Sequence, residues 1–313
     1  MTEIIKVDGL VKRYKELIAV DNLSMSVKKG EILGLLGPNG SGKSTTINCI
    51  LSLLEYDKGT INIFGKEMSS KAYDIKARIG VVPQEVAVFD TLTVEENIDF
   101  YCGLYIKDKE LRKKYVDEAI EFVALEDFRK FRPKKLSGGL RRRLNIACGI
   151  AHKPEIIIFD EPTVAVDPQS RNKILEGIEE LNKKGATIIY TSHYMEEVER
   201  LANHIIIIDK GIAIAEGTVS ELKGMIKTGE LISIEVNGLD SQVIDKIKVL
   251  PNIFRVDYTN NLLKVEAGNG KHNVLDIVNL IQNEGYAMKK ITSELPTLND
   301  VFLELTGKDL RDE

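Results

Sequence analysis

The sequence predicts an α/β architecture followed by a small α+β domain. Three observations carry this. Ile32–Leu36, Ile156–Phe159, Ala186–Tyr190 and Ile205–Ile208 are near-continuous apolar runs of strand length, as expected of strands buried on both faces of a mostly parallel sheet. Between Thr93 and Lys130 the period becomes helical, and after Leu222 the pattern changes to short strands and helices. At 313 residues, length alone favours about two units, each able to bury its own core.

Taken in order, Ile4–Leu10 and Thr60–Phe64 alternate and end in Gly-bounded turns, which suits antiparallel strands beside the main sheet. Val94, Ile98, Tyr101 and Tyr105, then Ala119, Phe122 and Val123, recur at helical spacing, so a helical insert is expected over about 90–150. The domain expected over 1–220 then gives way to an accessory domain over 221–313. Its elements read strand Leu231–Val236, helix Val243–Leu250, strand Ile253–Tyr258, an Asn260-Asn261 turn, strand Leu262–Glu266, helix Val274–Asn283 and strand Met288–Thr292. That β-α-β-β-α-β order predicts a ferredoxin-like sandwich. A last helix, Leu298–Leu305, follows Pro296 and stops before Gly307.

Acidic residues number 48 against 43 basic, a net charge of −5, so no global pull toward nucleic acid or anionic lipid is expected. Cys49, Cys102 and Cys148 lack metal-type spacing and read as free thiols in helices. Met1–Asp8 is polar, without the apolar stretch of a signal peptide. The longest aliphatic runs fall far short of the ~20 residues that cross a bilayer; action at a membrane would require another chain to span it.

Four motifs carry the chemistry. Gly37-Pro38-Asn39-Gly40-Ser41-Gly42-Lys43-Ser44-Thr45 follows the strand Ile32–Leu36 and opens a helix, the context a phosphate loop requires. Its backbone N–H groups would cradle phosphates, Lys43 would reach the β- and γ-phosphates, and Ser44 could ligate Mg²⁺. Asp160 and Glu161 close the run Ile156–Phe159 and so fall at the carboxyl end of a central strand, where α/β sheets hold ligands. Asp160 would meet Mg²⁺ or its water, and Glu161 would polarise the attacking water. Leu136-Ser137-Gly138-Gly139 precedes a good helix with Ser137 as N-cap, an anion site that needs no lysine. The fourth is His193, just past the strand Ala186–Tyr190. His152, His204 and His272 have no such placement and read as structural or solvated. Arg141–Arg143 reads as the exposed face of its helix.

In kind and order these motifs resemble the ATP-binding cassette (ABC) ATPases over roughly the first 220 residues. The resemblance implies a phosphate-loop NTPase core with an antiparallel β subdomain and helical insert. It also assigns further positions: Tyr14 stacking on adenine; Asn39, Gly40 and Thr45 in the phosphate loop; Gln84 sensing Mg²⁺ and the attacking water; Ser137, Gly138 and Gly139 on a nucleotide held by a second chain; Asp167 in the interface loop; His193 on the γ-phosphate. Two chains head to tail would trap two ATP molecules, and a separate integral-membrane permease would receive the motion, with the ATPase peripheral on the cytoplasmic face. Two positions depart from the common pattern. Leu140 stands where many members carry Gln, and Ala165 replaces a common glycine; if that site needs positive φ, the alanine costs on the order of 1 kcal/mol.

The stretch Leu136–Arg171 and the ending Pro296–Gly307 look like the bacterial type-2 exporter ATPases, with drug or antibiotic export the preferred subclass. A soluble ATPase of the same family acting on ribosome or DNA is the alternative, but the single phosphate loop, acidic balance and lack of a basic arm point away from it. Intact Asp160, Glu161 and His193 argue against a regulator that binds without hydrolysis.

Overall fold

The computed structural model describes residues 2–268 and 273–307; the reading of His272 lies outside them. The chain forms two compact units, with the boundary between Val219 and Ser220. The first runs β1 (Glu3–Tyr14), β2 (Leu17–Lys28), β3 (Ile32–Leu36), α1 (Lys43–Ile50), β4 (Lys58–Ile63), β5 (Lys66–Glu67), α2 (Tyr73–Lys76), β6 (Ile79–Val82), α3 (Val94–Gly103), α4 (Lys109–Phe122), α5 (Gly138–Ile150), β7 (Ile156–Asp160), α6 (Pro168–Lys183), β8 (Thr187–Ser192), α7 (Met195–Leu201), β9 (His204–Asp209) and β10 (Ile212–Gly217). A short helix α8 (Val219–Gly224) begins at the boundary.

The main sheet has the order β10-β9-β3-β8-β7-β6. All its pairings are parallel except β10 on β9. Every residue of β3 and of β8 is buried, which explains why neither alternates apolar with charged residues: no face is left to solvent. Register sets up the site. Leu36 lies opposite Ser192 and Asp160 opposite Thr191, so the phosphate loop, the acid pair and the His193 turn leave the sheet side by side at its carboxyl edge. The strand read as Ala186–Tyr190 runs Thr187–Ser192. The sequence shows little sign of β6, whose Ile79–Val82 is too short for a period to register.

A second sheet, β2-β1-β4-β5, is antiparallel throughout, and its inward side chains join the core that also holds Leu33, Ile50, Ile158 and Ile206. The insert is helical: α3 is opened by a Thr93/Glu96 capping box, α4 by Asp108 and α5 by Ser137. Each cap satisfies an otherwise unpaired N–H of the first turn.

The second unit holds β11 (Glu230–Val236), α9 (Ser241–Lys248), β12 (Ile253–Thr259), β13 (Leu262–Ala267), α10 (Asn273–Asn283), β14 (Met288–Glu294) and α11 (Leu298–Thr306). Its sheet is antiparallel in the order β12-β13-β11-β14, the ferredoxin-like arrangement. Ile232, Ile234, Leu263 and Val265 meet Val243 and Ile247 of α9 and Ile277 and Ile281 of α10 in one core. The opposite sheet face pairs Asp257 with Lys264 and Glu235 with Lys290. α11 starts at a Thr297/Asp300 capping box and ends at Gly307, φ 68°.

Candidate active site

The phosphate loop is held by its neighbours' backbones. A Cβ on Gly37 would lie 2.2 Å from the Ile208 carbonyl oxygen, and one on Gly42 2.4 Å from that of Ala19, so no side chain fits at either. Gly42 also takes φ 107° to start α1, which has no side-chain cap and no acidic residue in its first turn. Such a helix end is available to an anion. Ser41 Oγ is buried and has no hydrogen-bond partner, while a Cβ on Gly40 would meet open space. An orphaned donor beside a vacant wall is what a phosphate-binding loop requires. Lys43, 4% exposed, donates to the Gly37 carbonyl at 2.8 Å and the Pro38 carbonyl at 3.1 Å.

The same ammonium lies 3.2 Å from Glu161 Oε1. Glu161 is itself buried, and its other oxygen lies 3.1 Å from His193 Nδ1 and 3.5 Å from Gln84 Nε2. Three polar side chains from three separate segments thus converge on one carboxylate. Glu161 has φ 47°, a left-handed conformation that costs a non-glycine residue about 1–3 kcal/mol. Thr191 stabilises it: the Glu161 N–H donates to Thr191 Oγ1 at 2.9 Å, and that hydroxyl donates to Asp160 Oδ1 at 2.6 Å. The two acids of the motif therefore share one strand neighbour.

A cleft of about 640 Å³ gathers Tyr14, Asn39, Gly40, Gly42, Lys43, Ser44, Thr45, Gln84 and Glu161, with Leu17, Ile18 and Lys210. Tyr14 ends β1 at 46% exposure, with the Lys12 ammonium 5.1 Å from the centroid of its ring. Gly37 sits behind this cleft against β9, and Asp160 and His193 flank Glu161. Ser137, Gly138, Gly139 and Asp167 do not line it. Those four gather elsewhere. Ser137 Oγ accepts from the Leu140 N–H, Asp167 Oδ1 accepts from the Ser170 N–H, and a Cβ on Gly139 would lie 2.6 Å from Ser170 Oγ. The Ser170 N–H holds the Asp167 carboxyl below its ordinary range. Ala165 has φ 58°, so the alanine does occupy a site that favours glycine.

One expectation from the sequence is overturned. Arg141–Arg143 is not an exposed face: Arg142 is 5% exposed. Its guanidinium donates to the carbonyls of Pro83 at 2.9 Å and Gln84 at 2.6 Å. Asn145, one turn on, donates to Pro83 O and accepts from the Ala87 N–H. Together they clamp the Gln84 loop to α5, the helix that Ser137 caps. Arg143 donates to the Val123 carbonyl at 3.0 Å. The available signal was position: Arg142 stands three residues after buried Gly139 and four before buried Ile146, on the inward stripe. His152 and His204 are structural as read, the first against Ile79 O and the ring of Tyr105, the second against Glu216. The three cysteines are free and buried.

Among the described residues no helix is long and apolar enough to cross a membrane. Residues 20–164 match the family described as ABC transporter, and 217–306 match that described as ATP-binding protein DrrA1-3-like, C-terminal domain. The linearmycin resistance ATP-binding protein LnrL of Bacillus subtilis is 39% identical over 99% of this chain and 100% of its own. The Nod factor export ATP-binding protein I of Ralstonia nicotianae is 36% identical over 99% and 96%. A solved structure, the dimeric post-hydrolysis state of the ATP-binding cassette MJ0796 bound to ADP and Pi, superposes with TM-score 0.64 at 28% identity, covering 69% of this chain and 98% of that one. Similarity running through both units, and not only through the phosphate-loop half, places the chain in the ABC transporter family, as an ATP-binding and ATP-hydrolysing subunit.

Proposed function

We propose that this chain drives a bacterial exporter, working as one of two copies beneath a separate integral-membrane permease on the cytoplasmic face, and that its cargo belongs to the drug and antibiotic class. The observation that supports hydrolysis most directly is the convergence of Lys43, His193 and Gln84 on Glu161. With ATP in the cleft, Lys43 transfers from the loop carbonyls to the β- and γ-phosphates. That frees the Glu161 carboxylate to accept a proton from water lined up on the γ-phosphate. His193 holds Glu161 and the γ-phosphate in register, Gln84 reports on the same water, and Tyr14 covers adenine.

Ser44 and Asp160, with Gln84, are the groups that would hold Mg²⁺. Hydroxyl and carboxylate oxygens suit that cation, which takes few protein ligands beside phosphate. No cluster of three or more His, Cys, Asp or Glu side chains competes for a metal among the described residues. When bound, the ion supplies neutralisation of phosphate charge.

Export is the reading because the relatives with full-length similarity are named for resistance and export. An aromatic surface supports the permease reading: Phe89, Phe100, Tyr101, Leu104 and Tyr105 are exposed or half-buried beside the clamped Gln84 loop, with Phe89 stacked on Tyr101 and Phe100 edge-on to both. The domain after residue 220 would stabilise the pair or regulate turnover; deleting it and finding dimerisation and turnover unchanged in a folded truncation would remove that role. The function itself is tested by Mg²⁺-dependent phosphate release from purified chain. Release that Glu161→Gln abolishes is expected, whereas equal release by both proteins would contradict the assignment of the base.

A further inference from the structure

Beneath the site lies a second buried carboxylate, which the mechanism above does not use. Glu197 of α7 is 3% exposed. Its Oε2 accepts from Tyr190 OH at 2.6 Å, Thr163 Oγ1 at 2.8 Å and Ser192 Oγ at 3.1 Å. Its Oε1 faces Arg171 Nε at 3.4 Å, an ion pair without an aligned hydrogen bond. Burial, then Glu197 itself, pushes the Tyr190 phenol well above its ordinary value, so the phenol stays a donor.

The partners matter by where they sit in the chain. Thr163 lies in the loop that begins at Glu161 and leads to Asp167, with the Val166 N–H donating to the Thr163 carbonyl. Arg171 stands in the first turn of α6, one turn beyond Asp167, and its N–H donates to the Asp167 carbonyl. Ser192 immediately precedes His193, and its Oγ also accepts from the Tyr194 N–H. The Arg171 guanidinium lies 4.5 Å from the centroid of the Tyr194 ring, closing the circle. One carboxylate therefore ties the loop 161–167 to the turn 192–194. Three hydroxyls converge on Oε2 while Oε1 meets Arg171 by charge alone, so the placement of both segments depends on this one buried carboxylate.

We propose that Glu197 is a positioning residue for ATP hydrolysis, fixing the Glu161 turn, the Asp167 loop and the His193 turn as one body. The proposal rests on the reading of Glu161 and His193 given above. A shift of the γ-phosphate partners at 161 and 193 then moves Asp167 with them, which is how the state of one site reaches the loop expected at the subunit interface. Glu197 touches no reacting atom; its effect is on the placement of groups that do.

The test uses full-length chain carrying Glu197→Gln, Thr163→Val, or both, with kcat, ATP affinity and amide hydrogen exchange measured. Glutamine keeps the shape and an acceptor for hydroxyls but loses the charge facing Arg171. Expected is a roughly ten- to hundredfold loss of kcat with ATP affinity little changed. The double variant should be no slower than the slower single, since both cut one network. Amide protection in 161–167 and 192–194 should fall together while that of 37–45 holds. Normal turnover in Glu197→Gln, losses that multiply in the double variant, or exchange that changes in one segment alone would each overturn the proposal. Thr163→Val keeps the charge pair and supplies the test if Glu197→Gln does not fold. Glu161→Gln run alongside separates the two claims: if it turns over like the unmodified chain, the assignment of the base fails, and exchange still decides Glu197.

Discussion

The two glycine-opened helix ends of the first unit, at Lys43 and at Gly138, are built in opposite ways. The first is complete within the chain. Its lysine is surrounded by two carbonyls and a carboxylate, and its loop is pressed on the Ala19 and Ile208 backbones. The second faces outward: Ser137 and Gly138 are exposed, and a Cβ on Gly138 would touch nothing within 4 Å. Gly138 has no steric reason in the single chain to be glycine, whereas Gly139 does. A glycine that the monomer does not need is explained by a surface that arrives from outside, and the phosphate-loop cleft of a second copy is the surface this family reading supplies.

Substitutions can break that contrast, beginning with the largest effect. Glu161→Gln should slow turnover by roughly 10²–10⁴-fold, the range for loss of a general base, while ATP still binds; equal loss of binding would mean that Glu161 shapes the cleft rather than the reaction. Lys43→Met removes the charge that meets phosphate, at roughly 1.5–3 kcal/mol for a hydrogen bond to a charged group. Titration with a fluorescent ATP analogue should then show affinity reduced by about tenfold or more. The second helix end is sharpened by a pair. Gly139→Ala drives a methyl into Ser170 and should cost about 1–3 kcal/mol in denaturant unfolding. Gly138→Ala should leave the unfolding midpoint unchanged yet weaken ATP-driven association. The smallest effect belongs to Ala165→Gly, which relieves φ 58° but loosens the unfolded chain, so the net change should stay within about 1 kcal/mol.

What could be read from the sequence was local. Phosphate loop, acid pair and Ser137 cap are each continuous in sequence, and the long aliphatic strands declare themselves because burial on both faces removes polar residues. The ferredoxin-like order was legible because its strands still alternate. Long-range polar contacts were hidden. Arg142 reaches Gln84 across 58 residues and Thr163 reaches Glu197 across 34, and a charged letter gives no sign that its partner is a distant carbonyl or hydroxyl. Glu197 follows Glu196 in the first turn of α7 and so reads as a complement to the helix dipole. Its place beside Val198 and one turn before Leu201, both buried, was the only hint of the inward face.

The central claim, that one chain carries half of each ATP site, is tested most directly by light scattering of purified Glu161→Gln with and without ATP, Mg²⁺ being withheld to suppress residual turnover. The account predicts a shift from monomer to dimer with ATP and not with ADP, lost when Gly138→Ala is added. A Glu161→Gln chain that binds ATP and stays monomeric, or a dimer indifferent to both ATP and Gly138, would contradict it.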